Sequence, residues 1–214
     1  IIDELMARQE QVLKDRVVSE EANYIIGDAF AGLAKVGAGT IHFAEVDPPY
    51  GIDLDKKKRR EGDPGVTDEY QEVRGGDYQK FLERTARLVF KALYENAFCV
   101  WWYGISNHQL VLETPLKAGF KVSSIPAIWY KAGPGQCLQP DVNLANVYET
   151  FFVCRKGAPK LRAAGKNNVF HYPPVPALRK YHPTQKPVEL MVDILQTFCF
   201  PGATVCSPFL GSGS

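Results

Sequence analysis

Residues 40–50, TIHFAEVDPPY, constrain the fold more than any other stretch of this chain. The apolar run predicts a strand, and that strand leads straight into an acid, two prolines and a tyrosine. Proline donates no backbone hydrogen bond and cannot sit in the middle of a sheet. Pro48 and Pro49 therefore fix where the strand stops, and they stiffen the chain beyond it. A rigid strand tip that carries Asp47 and Tyr50 is a candidate active site.

The rest of the chain supplies a scaffold for such a tip. At 214 residues, 45% hydrophobic and 23% charged, it is long enough to bury one sizeable core in one domain. Its longest uncharged apolar run, AFCVWWYGI at 97–105, is about half of the ~20 residues a membrane-crossing helix needs. The first residues, IIDELMARQEQVLKDR, are acid-rich and lack the pattern of a signal peptide, so a cytoplasmic protein with no membrane partner is expected. Cysteines 99, 137, 154, 199 and 206 are odd in number and form no CxxC pair, which predicts buried reduced thiols and no metal site.

The net charge of +1 hides an uneven distribution. No acid occurs from Thr150 to Val188, a stretch that holds Arg155, Lys156, Lys160, Arg162, Lys166, Arg179, Lys180 and Lys186. A second basic cluster, Lys56, Lys57, Lys58, Arg59 and Arg60, follows the DPPY tip. Runs of this kind are either solvated loops or contacts for a polyanion, and two of them near one candidate site favour the polyanion.

Along the chain, helix and strand signals alternate. Residues 2–20 predict a helix, ANYIIGDA a short strand ending at Gly27 and Asp28, and AFAGLAKV a short helix before the opening strand. Residues 55–76 show no apolar period and read as a long mobile loop. Asp77 is placed to cap a helix, AFCVWWYG is a strand, and Ser106 starts a helix that ends near Gly119. FKVSSIPAIWYK and NVYETFFVCRK are strands joined by a loop, Pro187 starts a helix with apolar residues at helical spacing, and ATVCSPF is the last strand. Such alternation implies an α/β sheet that is mostly parallel, with Trp101 and Trp102 packed on its two faces.

Three motifs together carry a resemblance. DPPYGI at 47–52 resembles the catalytic motif of S-adenosylmethionine-dependent DNA amino-methyltransferases. HPTQKPVELM at 182–191 resembles their motif X, and SPFLGSGS at 207–214 resembles their glycine-rich cofactor motif. The order, catalytic motif first and glycine motif last, matches the permuted β group. The resemblance implies a single catalytic domain over 1–214 with a Rossmann-like methyltransferase sheet, mostly parallel with an antiparallel edge strand. It also implies that the cofactor part is incomplete where the chain stops at Ser214, so that a homodimer, a second chain or a further segment would complete the site. A bacterial or phage-encoded enzyme of restriction–modification type, acting on double-stranded DNA, is the corresponding expectation.

On this resemblance the Asp47 carboxylate and the Pro48 carbonyl accept hydrogen bonds from an exocyclic amine, Pro49 keeps them rigid, and Tyr50 stacks on a base swung out of the duplex. The alternative for Tyr50 is a ring packed on the second proline. S-adenosylmethionine would meet Asp28, Asp47, Thr184, Gln185, Lys186, Phe209, Gly211, Ser212 and Gly213; the alternative for Asp28 is a turn residue after a strand. DNA contact would fall to Lys56, Lys57, Lys58, Arg59, Arg60, Lys160, Arg162, Lys166, Arg179 and Lys180. Asp47, in place of a serine, favours adenine N6 over cytosine N4, and no Pro-Cys nucleophile for ring-carbon methylation is present. A non-catalytic nucleic-acid-binding remnant of the same fold is the reading from a different class.

Overall fold

In the computed structural model, which describes residues 24–50, 76–133, 135, 137, 139–180 and 184–211, the opening strand is present as β1 (Ile41–Val46) and stops one residue short of Asp47. Helix α1 (Ala29–Lys35) precedes it. After it come α2 (Gly76–Ala92), β2 (Leu93–Tyr103), a 3-10 turn (Ile105–Asn107) and α3 (His108–Ala118). The chain continues with β3 (Lys121–Val122), β4 (Ala127–Tyr130), β5 (Tyr148–Lys156), β6 (Val169–His171), α4 (Val188–Phe198) and β7 (Val205–Cys206).

The strands make one sheet in the order β6-β4-β5-β2-β1-β7, with β3 paired to β5. β1 is parallel to β2 and to β7, and β4 is parallel to β6. β5 alone is reversed, antiparallel to β2, β3 and β4. The class is the expected α/β sheet of mostly parallel strands. The reversed strand, however, lies between β2 and β4 and not at an edge. β5 follows β4 with no helix between them among the described residues, and pairs with it antiparallel; a parallel neighbour would need a crossover. β6, a three-residue strand inside the basic stretch, then adds to the outer side of β4.

Alternation along β2 sends Trp101 and Trp102 to opposite faces, and both are fully buried. Trp101 belongs to a core with Leu82 and Val89 of α2 and Val111 of α3. Trp102 belongs to a second core with Leu190, Ile194 and Phe198, which recur every four residues on one side of α4. Each such side chain contributes roughly 1.5–3 kcal/mol on burial, so the two cores hold α2 and α3 to one face and α4 to the other.

Other expectations are modified. Residues 24–28 form no strand; Ile26 is fully exposed, and without a paired neighbour an apolar run has no ladder to join. Asp77 lies within the first turn of α2, which already begins at Gly76. The expected helix over 2–20 and all of the expected loop over 55–76 except Gly76, which begins α2, lie outside the described residues.

Candidate active site

The crossovers decide where a ligand can sit. β2 is reached from β1 through α2 on one face of the sheet, while β7 is reached through α4 on the other. The crevice between β1 and β7 is therefore a topological switch point, and open α/β sheets bind ligands there, beyond the carboxyl ends of the strands. A pocket lies at that place, and Glu45, Asp47, Thr184, Gln185, Lys186, Ser207, Phe209 and Gly211 are among the residues that line it. Met191 and Leu195 of α4, with Val205 and Leu210, complete its apolar side. Gly211 has φ +57°, a turn conformation that costs glycine nothing.

The fold thus brings together six of the residues singled out from sequence: Asp47, Thr184, Gln185, Lys186, Phe209 and Gly211. Asp28 is not among the lining residues. Its Oδ1 accepts a 2.8 Å hydrogen bond from the Ala31 N–H and caps α1. Ser212 and Gly213 lie outside the described residues, as do Lys56, Lys57, Lys58, Arg59 and Arg60.

At the strand tip Pro48 is buried and Tyr50 half-buried. The Tyr50 carbonyl accepts a 2.6 Å hydrogen bond from Asn107 Nδ2. The ring lies against Gly104, where an added Cβ would stand at ordinary van der Waals contact, 3.4 Å from the Cβ and 3.5 Å from Cδ2 of Tyr50. Burial, then the neighbouring Asp47 carboxylate and more distant Glu149, keep the phenol protonated well above its ordinary range.

The charges of the site are centred on Lys186. It is buried, its ammonium pairs with Asp47 Oδ2, and it lies 4.4 Å from the ring centroid of Trp102. Burial opposes its charge, but Asp47 first, then Glu149 and Glu45, outweigh that and raise its pKa, so the ammonium persists. Lys186 lines the pocket with Thr184 and Gln185, and its partner is the catalytic-motif acid, 139 residues away in sequence.

Glu45 was missed. It sits two residues before Asp47 on the same strand face and is 6% exposed, and it accepts a 2.6 Å hydrogen bond from Ser207 Oγ. Burial first and the Asp47 carboxylate second raise its carboxyl to about 7, against the opposing pull of Lys186, Ser207 and the Trp102 indole. That indole N–H makes no hydrogen bond of normal geometry. The signal available in the sequence was a lone acid inside an otherwise apolar strand.

The basic stretch is partly committed within the molecule. Lys166 Nζ pairs with Asp193 of α4 at 2.8 and 2.7 Å, and Tyr172 donates to the same carboxylate at 2.9 Å. Arg162 donates through Nη1 to the Cys199 carbonyl at 3.4 Å. Lys160 and Arg179 are exposed, and Lys180 is half-buried. Among the described residues no group of three or more His, Cys, Asp or Glu could hold a metal, and no helix is long and apolar enough to cross a membrane.

Residues 41–214 match the family model described as DNA methylase, the N6/N4 methyltransferase type. The chain is 24% identical over 193 residues to YubD of Escherichia coli (strain K12), a protein provisionally named a methylase, covering 90% of this chain and 77% of that one. Among solved structures it is similar to the cytosine-N4-specific PvuII DNA methyltransferase, with a TM-score of 0.63, 15% identity, and 85% of this chain and 72% of that one covered. It is also similar to TTHA0409 of Thermus thermophilus, provisionally a DNA modification methylase, in complex with S-adenosyl-L-methionine. There the TM-score is 0.61 at 20% identity, with 88% of this chain and 79% of that one covered.

Proposed function

Because the chain belongs to the DNA methylase family of N6/N4 methyltransferases, we propose that it methylates the exocyclic N6 amine of adenine in double-stranded DNA, with S-adenosylmethionine as donor. The observation that carries this reading is the meeting of the DPPY acid, Asp47, with Phe209 and Gly211 of the glycine motif around one pocket. The pocket suits such a donor on its own chemistry: Phe209, Met191 and Leu195 supply apolar wall, and the Glu45 and Asp47 carboxylates in the same lining can balance a cation. When bound, the donor supplies an electrophilic methyl carbon.

The chain's own residues prepare the nucleophile. The lone pair of an exocyclic amine is delocalised into its ring. The Asp47 carboxylate and the Pro48 carbonyl, accepting hydrogen bonds from the amine, draw the nitrogen towards tetrahedral geometry and stabilise the positive charge that grows on it. Lys186 fixes Asp47 through one oxygen, while Pro48, Pro49 and the Asn107 bond keep the tip from shifting. Tyr50 offers a ring for the extruded base; stacking of about 1–3 kcal/mol offsets much of the few kcal/mol that extrusion costs. Lys160, Arg179, Lys180 and the cluster from Lys56 to Arg60 are assigned to phosphate contact. Thr184 and Gln185 are assigned to the amino-acid end of the donor.

Transfer from radiolabelled donor to duplexes whose only exocyclic targets are adenines or cytosines tests the reading. Incorporation into the adenine duplex, abolished in Asp47→Ala with donor binding retained, is the expected result. Incorporation confined to cytosine would move the assignment to N4, and turnover retained by Asp47→Ala would refute the role given to that carboxylate.

A further inference from the structure

We propose that Glu45 is the residue that sets the pocket's preference for a cationic sulfonium donor over the neutral thioether left after methyl transfer. The inference rests on the reading of the pocket as a donor site, and it concerns a side chain outside all three sequence motifs.

Glu45 and Lys186 are both buried, so their charges must balance locally. Glu45 and Asp47 project from the same face of β1 and its tip into one pocket. The remaining groups that act on Glu45 are Lys186 ahead of α4, the Ser207 hydroxyl at the end of β7 and the Trp102 indole of β2. The Tyr50 phenol, and the Cys99 thiol of β2 and Cys206 thiol of β7 on the other face of the sheet, also lie within electrostatic reach of Glu45, and burial keeps all three neutral. Glu149, at the start of β5, is matched by Lys131 at 2.7 Å. Two carboxylates thus share one ammonium, and the ammonium is paired with Asp47.

A buried carboxyl in that position has two ways to reach neutrality: it keeps its proton, or a second cation arrives. Its pKa of about 7 shows that neither form is remote near physiological pH. A sulfonium in the pocket favours the carboxylate, so binding releases a proton from Glu45 to solvent. A thioether brings no charge and leaves the proton in place. Ser207 Oγ, bonded to Glu45 from the edge of the glycine motif, holds the carboxyl against the donor side of the crevice.

The test is calorimetric binding of S-adenosylmethionine and of S-adenosylhomocysteine to the full chain, in buffers of differing ionisation enthalpy. With a free pKa of about 7, lowered when the cation binds, affinity for the sulfonium should rise about tenfold between pH of about 6 and about 8, with matching proton release. Affinity for the thioether should change little. Glu45→Gln, which keeps an acceptor for Ser207, should bind the thioether as before and lose both the pH dependence and the preference. Equal, pH-independent binding of the two ligands by the unmodified chain would overturn the proposal and leave the donor reading standing. Binding of neither ligand would remove both. Loss of both ligands in Glu45→Gln would show that Glu45 merely supports Ser207, and would also overturn it.

Discussion

Replacing Lys186 by methionine removes a charge and changes little else, because the unbranched side chain can still lie along Trp102. The ammonium it deletes is the partner of Asp47 and sits 4.4 Å from the Trp102 ring centroid. Removing one member of a fully buried ion pair costs about 3–5 kcal/mol. The Asp47 side chain is 22% exposed and keeps some water, so the expected loss near pH 8 is about 2–3 kcal/mol. The sign of the pH dependence follows from Glu45. Its folded pKa already lies above the unfolded value of 4.5, at about 7, and without Lys186 it rises further. The folded state then binds more protons than the unfolded one across that window, so the variant loses stability more steeply than the parent as pH rises. Lys186 itself stays charged throughout, because its pKa is raised from an already high 10.5. Urea unfolding of both proteins near pH 5 and near pH 8, followed by tryptophan fluorescence, measures the difference. Equal losses at the two pH values would refute the reasoning, since a cost that ignores protonation comes from packing on Trp102 and not from charge.

Two further outcomes use the same measurements and steady-state kinetics. Asn107→Ala removes the 2.6 Å bond to the Tyr50 carbonyl; it should cost about 1 kcal/mol of stability and lower kcat roughly 10- to 100-fold with KM for the donor unchanged. An unaltered kcat would mean that the bond merely closes the turn. Glu45→Gln should be more stable than the parent near pH 8, by roughly 1–3 kcal/mol, because it no longer places an ionised carboxyl where burial penalises it, and should differ little near pH 4.5. A variant less stable at both pH values would show that the Ser207 bond outweighs the charge.

What could be read from the sequence was whatever a short stretch of chain decides for itself. Two prolines end β1 beside Asp47, adjacent tryptophans divide between two faces, and apolar residues at 190, 194 and 198 define the side of α4 that is buried. What could not be read depends on pairing between distant segments. The run containing Ile25 and Ile26 has strand composition but finds no partner strand among the described residues. β6 has one buried side chain, Phe170, in a polar basic stretch, too little pattern to announce a strand. Asp28 caps α1 through its hydrogen bond with the Ala31 N–H, a role that depends on where the helix begins.

The same distinction applies to Lys186 and Glu45. A motif groups Lys186 with its neighbours Thr184 and Gln185, and all three line the pocket. The sheet also places Lys186 across the crevice from β1, where its charge is shared by acids on both sides of Val46. Glu45 lies outside every motif, yet it is the acid whose ionised form the unliganded pocket supports least. A domain selected for stability alone would put an apolar residue there, as at Phe43 on the same strand face. A carboxyl that destabilises the free protein near neutral pH gains its favourable term only when a cation enters the crevice. The stability and the ligand preference of Glu45→Gln should therefore move in opposite directions.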